Sequence, residues 1–156
     1  NCDFRIVVDS RPGQSPNAFQ TLDGNGRPII GFNTALIADA RNADEIAFVM
    51  AHEAAHHIEG HIARAQTNAA VGAVLIGGLL GAMGATDQAA SDSATQLGAS
   101  VGARSYSKEF ELEADALGTR IAAAAGFDPR RGAQFFFRVP EHGARFHSTH
   151  QPKAER

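Results

Sequence analysis

The amino-acid sequence predicts an α+β fold that is mostly helical and opens with a small N-terminal antiparallel sheet. Residues 4–9 (FRIVVD) form a short β-branched run typical of a strand. Two further short strands are predicted at 17–19 and 27–32, and the run DGNG at 23–26 between them is a strong hairpin signal. The rest of the chain carries helix signals, with apolar residues at helical spacing between capping residues.

The first long helix is predicted to begin at Asn42 and to run to about Gln66. Asn42 is followed three residues later by Glu45, which is the spacing of a capping box. Apolar residues such as Ile46 and Val49 then continue one face of the helix.

Two later helices are marked by their ends. Ser107 is expected to cap a helix that continues to about Ala125, where Gly126 supplies a left-handed stop. The pair Asp128-Pro129 begins the next helix, with aspartate as cap and proline in the first turn. This helix carries three residues assigned to the core: Phe135, Phe136 and Phe137.

The segment between these helices is rich in glycine, alanine and serine. Residues 71–83 (VGAVLIGGLLGAM) span only about 20 Å as a helix, so this stretch is expected to be too short to cross a bilayer. A buried helix or an interfacial contact remains open for it. Residues 84–103 have few core anchors and are typical of a mobile connection or a thinly packed helix.

Length and charge limit the classes of protein. The 156 residues fit a single domain, residues 1–156, and a start at Asn1 indicates a processed form or a fragment of a longer protein. The net charge of −3 and the lack of a basic block argue against nucleic acid as a partner. The single cysteine excludes an internal disulfide and a cysteine-based metal site.

The motif with the clearest chemistry is His52-Glu53-Ala54-Ala55-His56. Residues i and i+4 of a helix lie on one face, so both imidazoles can bind one zinc ion. Glu53 lies beside that face and is assigned as the general base that takes a proton from an activated water. A second pair, His57 and His61, has the same spacing but lacks a base, and both are expected to be surface residues.

A third ligand is sought in the acidic segment that begins at Ser107. The positions that would hold glycine and histidine in the metzincin arrangement are Glu59 and Ile62, so that class is excluded. Four acids follow later, at 109, 111, 113 and 115. Glu111 and Asp115 share one helix face, which suits a ligand and a carboxylate that orients an imidazole.

The combination of H-E-A-A-H at 52–56 with E-L-E-A-D at 111–115 resembles the gluzincin peptidases of the HtpX, CAAX-prenyl-endopeptidase and BepA type. The resemblance implies a zincin-like catalytic domain with one Zn²⁺ per chain, held by His52, His56 and Glu111. It places Asp115 beside a ligand histidine.

Weaker similarities extend along the chain. Asn17-Ala18-Phe19 resembles the strand beside the family's cleft, so these residues are expected at the substrate edge.

Ser148-Thr149-His150 with Arg156 resembles the family's closing element, although the proline follows one residue late. The resemblance implies that His150 lies near the metal, either as a fourth ligand that keeps the enzyme latent or as an oxyanion donor. Arg156 is expected to anchor that loop, through an acid such as Asp115.

The resemblance also implies a cellular role. Family members act at membranes or in the bacterial envelope, so the expected substrates are polypeptides, including misfolded envelope or membrane proteins, and the expected location is the periplasm or the membrane-associated envelope. Peripheral membrane contact is left open, and no transmembrane segment is expected. The alternative is a zinc-bearing, chaperone-like or latent binding module with little proteolysis. Glu53 favours the peptidase, since a structural zinc site needs no base.

Overall fold

The sheet at the N-terminus has three strands in the order β1-β3-β2. A computed structural model describes residues 3–84, 87–105 and 107–138. The strands are β1 (Arg5–Asp9), β2 (Ala18–Leu22) and β3 (Pro28–Asn33). β2 and β3 form the predicted antiparallel hairpin, whose turn is closed by a hydrogen bond from the Asp23 amide to the Arg27 carbonyl.

The sheet is mixed rather than wholly antiparallel, because β1 pairs with β3 in parallel register. The apolar pattern of β1 fits either direction, so the sequence carried no signal for it. The α+β class itself is confirmed.

Asn33 joins the sheet to the first helix, α1 (Thr34–Asp39), which the sequence analysis missed. Its buried side chain caps that helix by accepting from the Leu36 amide at 2.8 Å. The same oxygen accepts from the Asn17 amide at 3.0 Å, and the amide nitrogen donates to the Ser15 carbonyl. One polar side chain thus fixes the start of β2 and of α1.

The helix that carries the histidine motif, α2, runs from Ala43 to Ile58. Its cap is Asn42, as predicted, and the Asn42 side chain accepts from the Glu45 amide. The predicted end near Gln66 is wrong. Gly60 adopts a left-handed conformation with φ of 68°, which favours glycine, and a new helix begins at His61.

The core of the first compact unit, residues 1–59 and 111–156, lies where α2 packs on β2 and β3. Helix α5 (Ser107–Ala124) ends close to the predicted position, with Gly126 at φ of 86°. The core residues share nearly complete burial: Ile30, Phe32, Leu36, Phe48, Val49 and Phe135.

Two short helices complete the described part of this unit. Asp128 caps α6 (Pro129–Gly132) as predicted, and α7 spans Gln134–Arg138. Phe135 and Phe136 are buried, but Phe137 is 49% exposed, so its assignment to the core is wrong. Consecutive residues of a helix point 100° apart, and the third ring therefore faces away from the core.

The second compact unit, residues 60–110, contains α3 (His61–Ala82) and α4 (Gln88–Ser105), which pack along each other. The apolar stretch at 71–83 belongs to a helix of 22 residues. By length and composition this helix could cross a membrane. The expectation that the stretch is too short is wrong, because the helix begins ten residues earlier, at His61.

Candidate metal centre

His52 and His56 project from the same face of α2 and meet at their outer nitrogens. The two Nε2 atoms are 3.0 Å apart, and the ring planes are inclined by 81°. His52 is fully buried, while the His56 side chain is 12% exposed. One turn of helix therefore aims two nitrogen donors at one point.

Glu111 brings a carboxylate from α5 to the same point. Its Oε2 lies 3.4 Å from Nε2 of His52, and its Oε1 lies 3.3 Å from Nε2 of His56. The residue is only 2% exposed. A carboxylate buried against two imidazoles forms a compact set of three donors drawn from two helices.

The spacing of these donors fits a zinc ion. Two ligands of a tetrahedral zinc, each at about 2.0–2.2 Å, are about 3.3 Å apart. The three pairs of donor atoms in this cluster lie 3.0, 3.4 and 3.3 Å apart. Two histidines and one glutamate also make a three-ligand set that leaves a position open for water or substrate.

Asp115 lies one helical turn after Glu111 and contacts the other nitrogen of His52. Its Oδ1 is 2.9 Å from Nδ1. Burial alone lowers the pKa of the His52 imidazole, but hydrogen bonding to Asp115 and Glu111 outweighs burial and raises the pKa to about 9. A metal must displace that proton from Nε2, while Asp115 holds the ring through Nδ1.

Two residues that the sequence did not assign to the site, Gly118 and Phe136, pack close to His52. At Gly118 on α5, an added Cβ would lie only 3.0 Å from the His52 backbone nitrogen. The ring of Phe136 lies 5.4 Å from the His52 ring, between centroids. The position of Gly118, three residues after Asp115 on α5, could have indicated a close approach of another element. Nothing in the sequence indicated that Phe136 would lie beside His52.

Glu53 is 2% exposed, so the carboxylate assigned as the base is buried within α2 beside the ligands. Its negative charge contributes to the raised pKa of His52. Because Glu53 is buried next to the donor cluster, its carboxylate has little contact with bulk water.

The residues predicted for the substrate edge lie at the start of the outer strand β2, and their role stays a prediction. Ala18 is buried, and the Phe19 ring covers Gly31, where an added Cβ would lie 2.2 Å from that ring. Asn17 is held at the start of the strand by Asn33. In the described sheet β2 pairs with β3 on one side only, so its other edge has no strand partner among the described residues.

The other histidines named in the sequence analysis do not share one environment. His61 was expected at the surface, but it is only 4% exposed and stacks on Phe110 at 4.5 Å. His57 is half-buried and makes an edge contact with Phe4. His150 and Arg156 lie outside the described residues.

Comparison with known proteins agrees with this geometry. No curated protein matches the chain closely enough to count as a relative. The sequence model of peptidase family M48, a gluzincin family of zinc metallopeptidases, matches residues 3–156. The match includes both ligand helices, and the chain therefore belongs to peptidase family M48.

Proposed function

We propose that the protein is a zinc-dependent endopeptidase that binds one Zn²⁺ through His52, His56 and Glu111. The observation that carries the proposal is the spacing of the three donor groups, which lie 3.0–3.4 Å apart on two helices. Membership of a metallopeptidase family supports the same chemistry.

Glu53 is the residue that moves protons. Zinc bound to the three ligands would acidify a water molecule and polarise a carbonyl group. The Glu53 carboxylate accepts the proton of the attacking water and donates it to the departing amine. Asp115 keeps the His52 ring oriented throughout, because it holds Nδ1 at 2.9 Å.

The substrate is an extended polypeptide that pairs with the free edge of β2. Backbone groups at the edge of a sheet bind an extended chain through main-chain hydrogen bonds, which explains how a peptidase accepts varied sequences. Asn17, Ala18 and Phe19 form the part of this edge nearest the start of the strand.

The proposed setting is protein quality control at the bacterial envelope, in the periplasm or at its membranes. Family membership supports peptide hydrolysis, and misfolded envelope or membrane proteins are the substrates we propose. His150 is proposed to lie near the metal as a latch or an oxyanion donor, with Arg156 anchoring its loop.

Hydrolysis of casein, an unfolded protein substrate, tests the proposal directly. The purified protein should degrade casein, lose this activity with a zinc chelator and regain it when zinc is restored. A zinc-loaded protein that leaves casein intact, yet prevents another protein from aggregating, would contradict the proposal and favour a binding module.

A further inference from the structure

In a water-soluble pair of helices, large apolar side chains usually lie between the helices and polar side chains face water. The hairpin of α3 and α4 instead has glycines at its closest contacts and large apolar side chains on an outer face. Where the backbones of the two helices come closest, glycines stand at the contact. A Cβ added to Gly72 would lie 2.1 Å from the Gly98 carbonyl oxygen, and one added to Gly102 would lie 2.1 Å from that of Asn68. The backbones are therefore in direct contact, and little room remains between them for large apolar side chains.

Four of the large apolar side chains of α3 point outward. Val71, Val74, Leu75 and Leu79 are between 52% and 73% exposed. Their spacing of three and four residues places them on one face of the helix. Exposed apolar faces of this kind mark a surface that is covered by another apolar phase.

This face is also free of charge. From Ala65 to Thr86 the sequence contains no Asp, Glu, Lys, Arg or His. A protein partner is oriented by polar and charged groups at the rim of an interface, and this stretch supplies no charged group for that purpose. Lipid hydrocarbon requires only apolar surface, so the composition favours lipid over a protein partner.

Helix α4 limits how deeply the hairpin can enter. It packs along α3 and carries the exposed polar residues Asp92 and Gln96. An aspartate at the centre of a membrane helix strongly disfavours insertion. A hairpin that crosses the bilayer would place these groups in hydrocarbon, whereas a helix lying in the interface leaves them in water.

We propose that α3 is a membrane-binding element that lies in the plane of one leaflet, with Val71, Val74, Leu75 and Leu79 among the acyl chains. The inference deepens the proposed function, since it rests on an envelope location and names the surface that contacts the membrane. It does not depend on hydrolysis, and it can therefore be tested with the inactive Glu53→Gln variant of the full chain.

The protein contains no tryptophan, so a single introduced tryptophan reports on its own surroundings. Leu79→Trp should shift its emission to shorter wavelength on addition of phosphatidylcholine vesicles. It should be quenched more strongly by lipids brominated near the headgroup than by lipids brominated near the chain end. Ile6→Trp on β1 is the matched control, because Ile6 is also about half exposed, and its emission should not change.

Flotation with the same vesicles measures the strength of binding. Replacing Leu75 and Leu79 by serine should weaken vesicle binding by about tenfold for each leucine, since a buried leucine contributes about that factor. Replacing Ile6 and Val8 by serine should leave binding unchanged. Binding should be insensitive to salt and to added phosphatidylglycerol, because the face carries no charge.

Three outcomes would overturn the inference. One is absence of flotation with an unchanged Leu79→Trp spectrum. Another is binding only to anionic vesicles at low salt, which indicates electrostatic adsorption by another surface. The third is a blue shift without vesicles that grows with protein concentration, which indicates a second copy of the chain on this face. Loss of casein hydrolysis alone would affect only the proposed function.

Discussion

Asp115 Oδ1 lies 2.9 Å from Nδ1 of His52, while Nε2 of the same ring faces Glu111 at 3.4 Å. The two carboxylates, four residues apart on α5, therefore contact opposite nitrogens of one imidazole. One acid could therefore bind a metal ion, and the other contacts the histidine that would bind the same ion.

This relationship predicts an order of zinc affinities. Glu111→Gln should weaken zinc binding most, and Asp115→Ala should weaken it by about 10–100-fold. Glu109→Gln is the matched control, because Glu109 is exposed on the same helix. The zinc affinity of this variant should stay near that of the wild-type protein. Competition with a chromogenic chelator measures all three, and a reversed order would move the ligand elsewhere on α5.

A second prediction concerns Phe136, whose ring lies 5.4 Å from the His52 ring. Phe136→Leu should lower zinc affinity severalfold, since the imidazole loses a rigid neighbour. Phe135→Leu removes a ring that is at least as buried and should destabilise the fold comparably, by about 1–2 kcal/mol. It should leave zinc affinity unchanged. Equal losses of affinity in both variants would show that Phe136 acts only through global stability.

A third prediction concerns the close approach of the ligand helices at Gly118. Gly118→Ala should weaken zinc binding and lower stability, because the new Cβ would lie 3.0 Å from the His52 nitrogen and push α5 away. Gly78→Ala is the control: it is also helical but has open space at its Cβ, and should be neutral or slightly stabilising. A Gly118→Ala protein with normal affinity would show that the helices tolerate separation.

A fourth prediction concerns acid stability. Hydrogen bonds from Arg138 hold the pKa of the buried Glu45 carboxyl below its usual range. A lowered folded pKa contributes stability that is present above the unfolded pKa, near 4.5, and is lost as the pH falls through the folded value. Glu45→Gln should therefore cost about 1.5–3 kcal/mol at neutral pH and flatten the loss of stability toward acid.

Urea unfolding of the metal-free protein at several pH values measures this effect. The exposed pair of Arg27 and Asp3 supplies the control, since Asp3→Asn should cost less than about 1 kcal/mol. An unchanged acid limb in Glu45→Gln would contradict the assignment.

The sequence was sufficient for the ends of several elements and for the three residues of the candidate metal site. Capping chemistry is local, so Asn42, Asp128 and Gly126 were predictable from their neighbours. The helical spacing of the histidines and of the two acids is also local, and the structure brings both pairs together.

The features that the sequence did not predict depend on long-range packing or on two local signals that compete. The direction of β1 is set by its partner, and His61 is buried because Phe110 stacks on it from 49 residues away. Gly60 was a visible helix stop, but the apolar pattern that continues past it favoured one long helix. Phe136 was predicted to be in the core, yet its contact with His52 crosses 84 residues.

Hydrolysis of casein by the Glu53→Gln variant, with zinc measured in the same sample, tests the central claim most directly. The amide keeps the shape of the side chain but cannot accept the proton, so turnover should fall by about 10²–10⁴-fold while one zinc per chain is retained. Turnover near that of the wild-type protein, with zinc bound, would contradict the assignment of Glu53 as the base in a metal centre built from His52, His56 and Glu111.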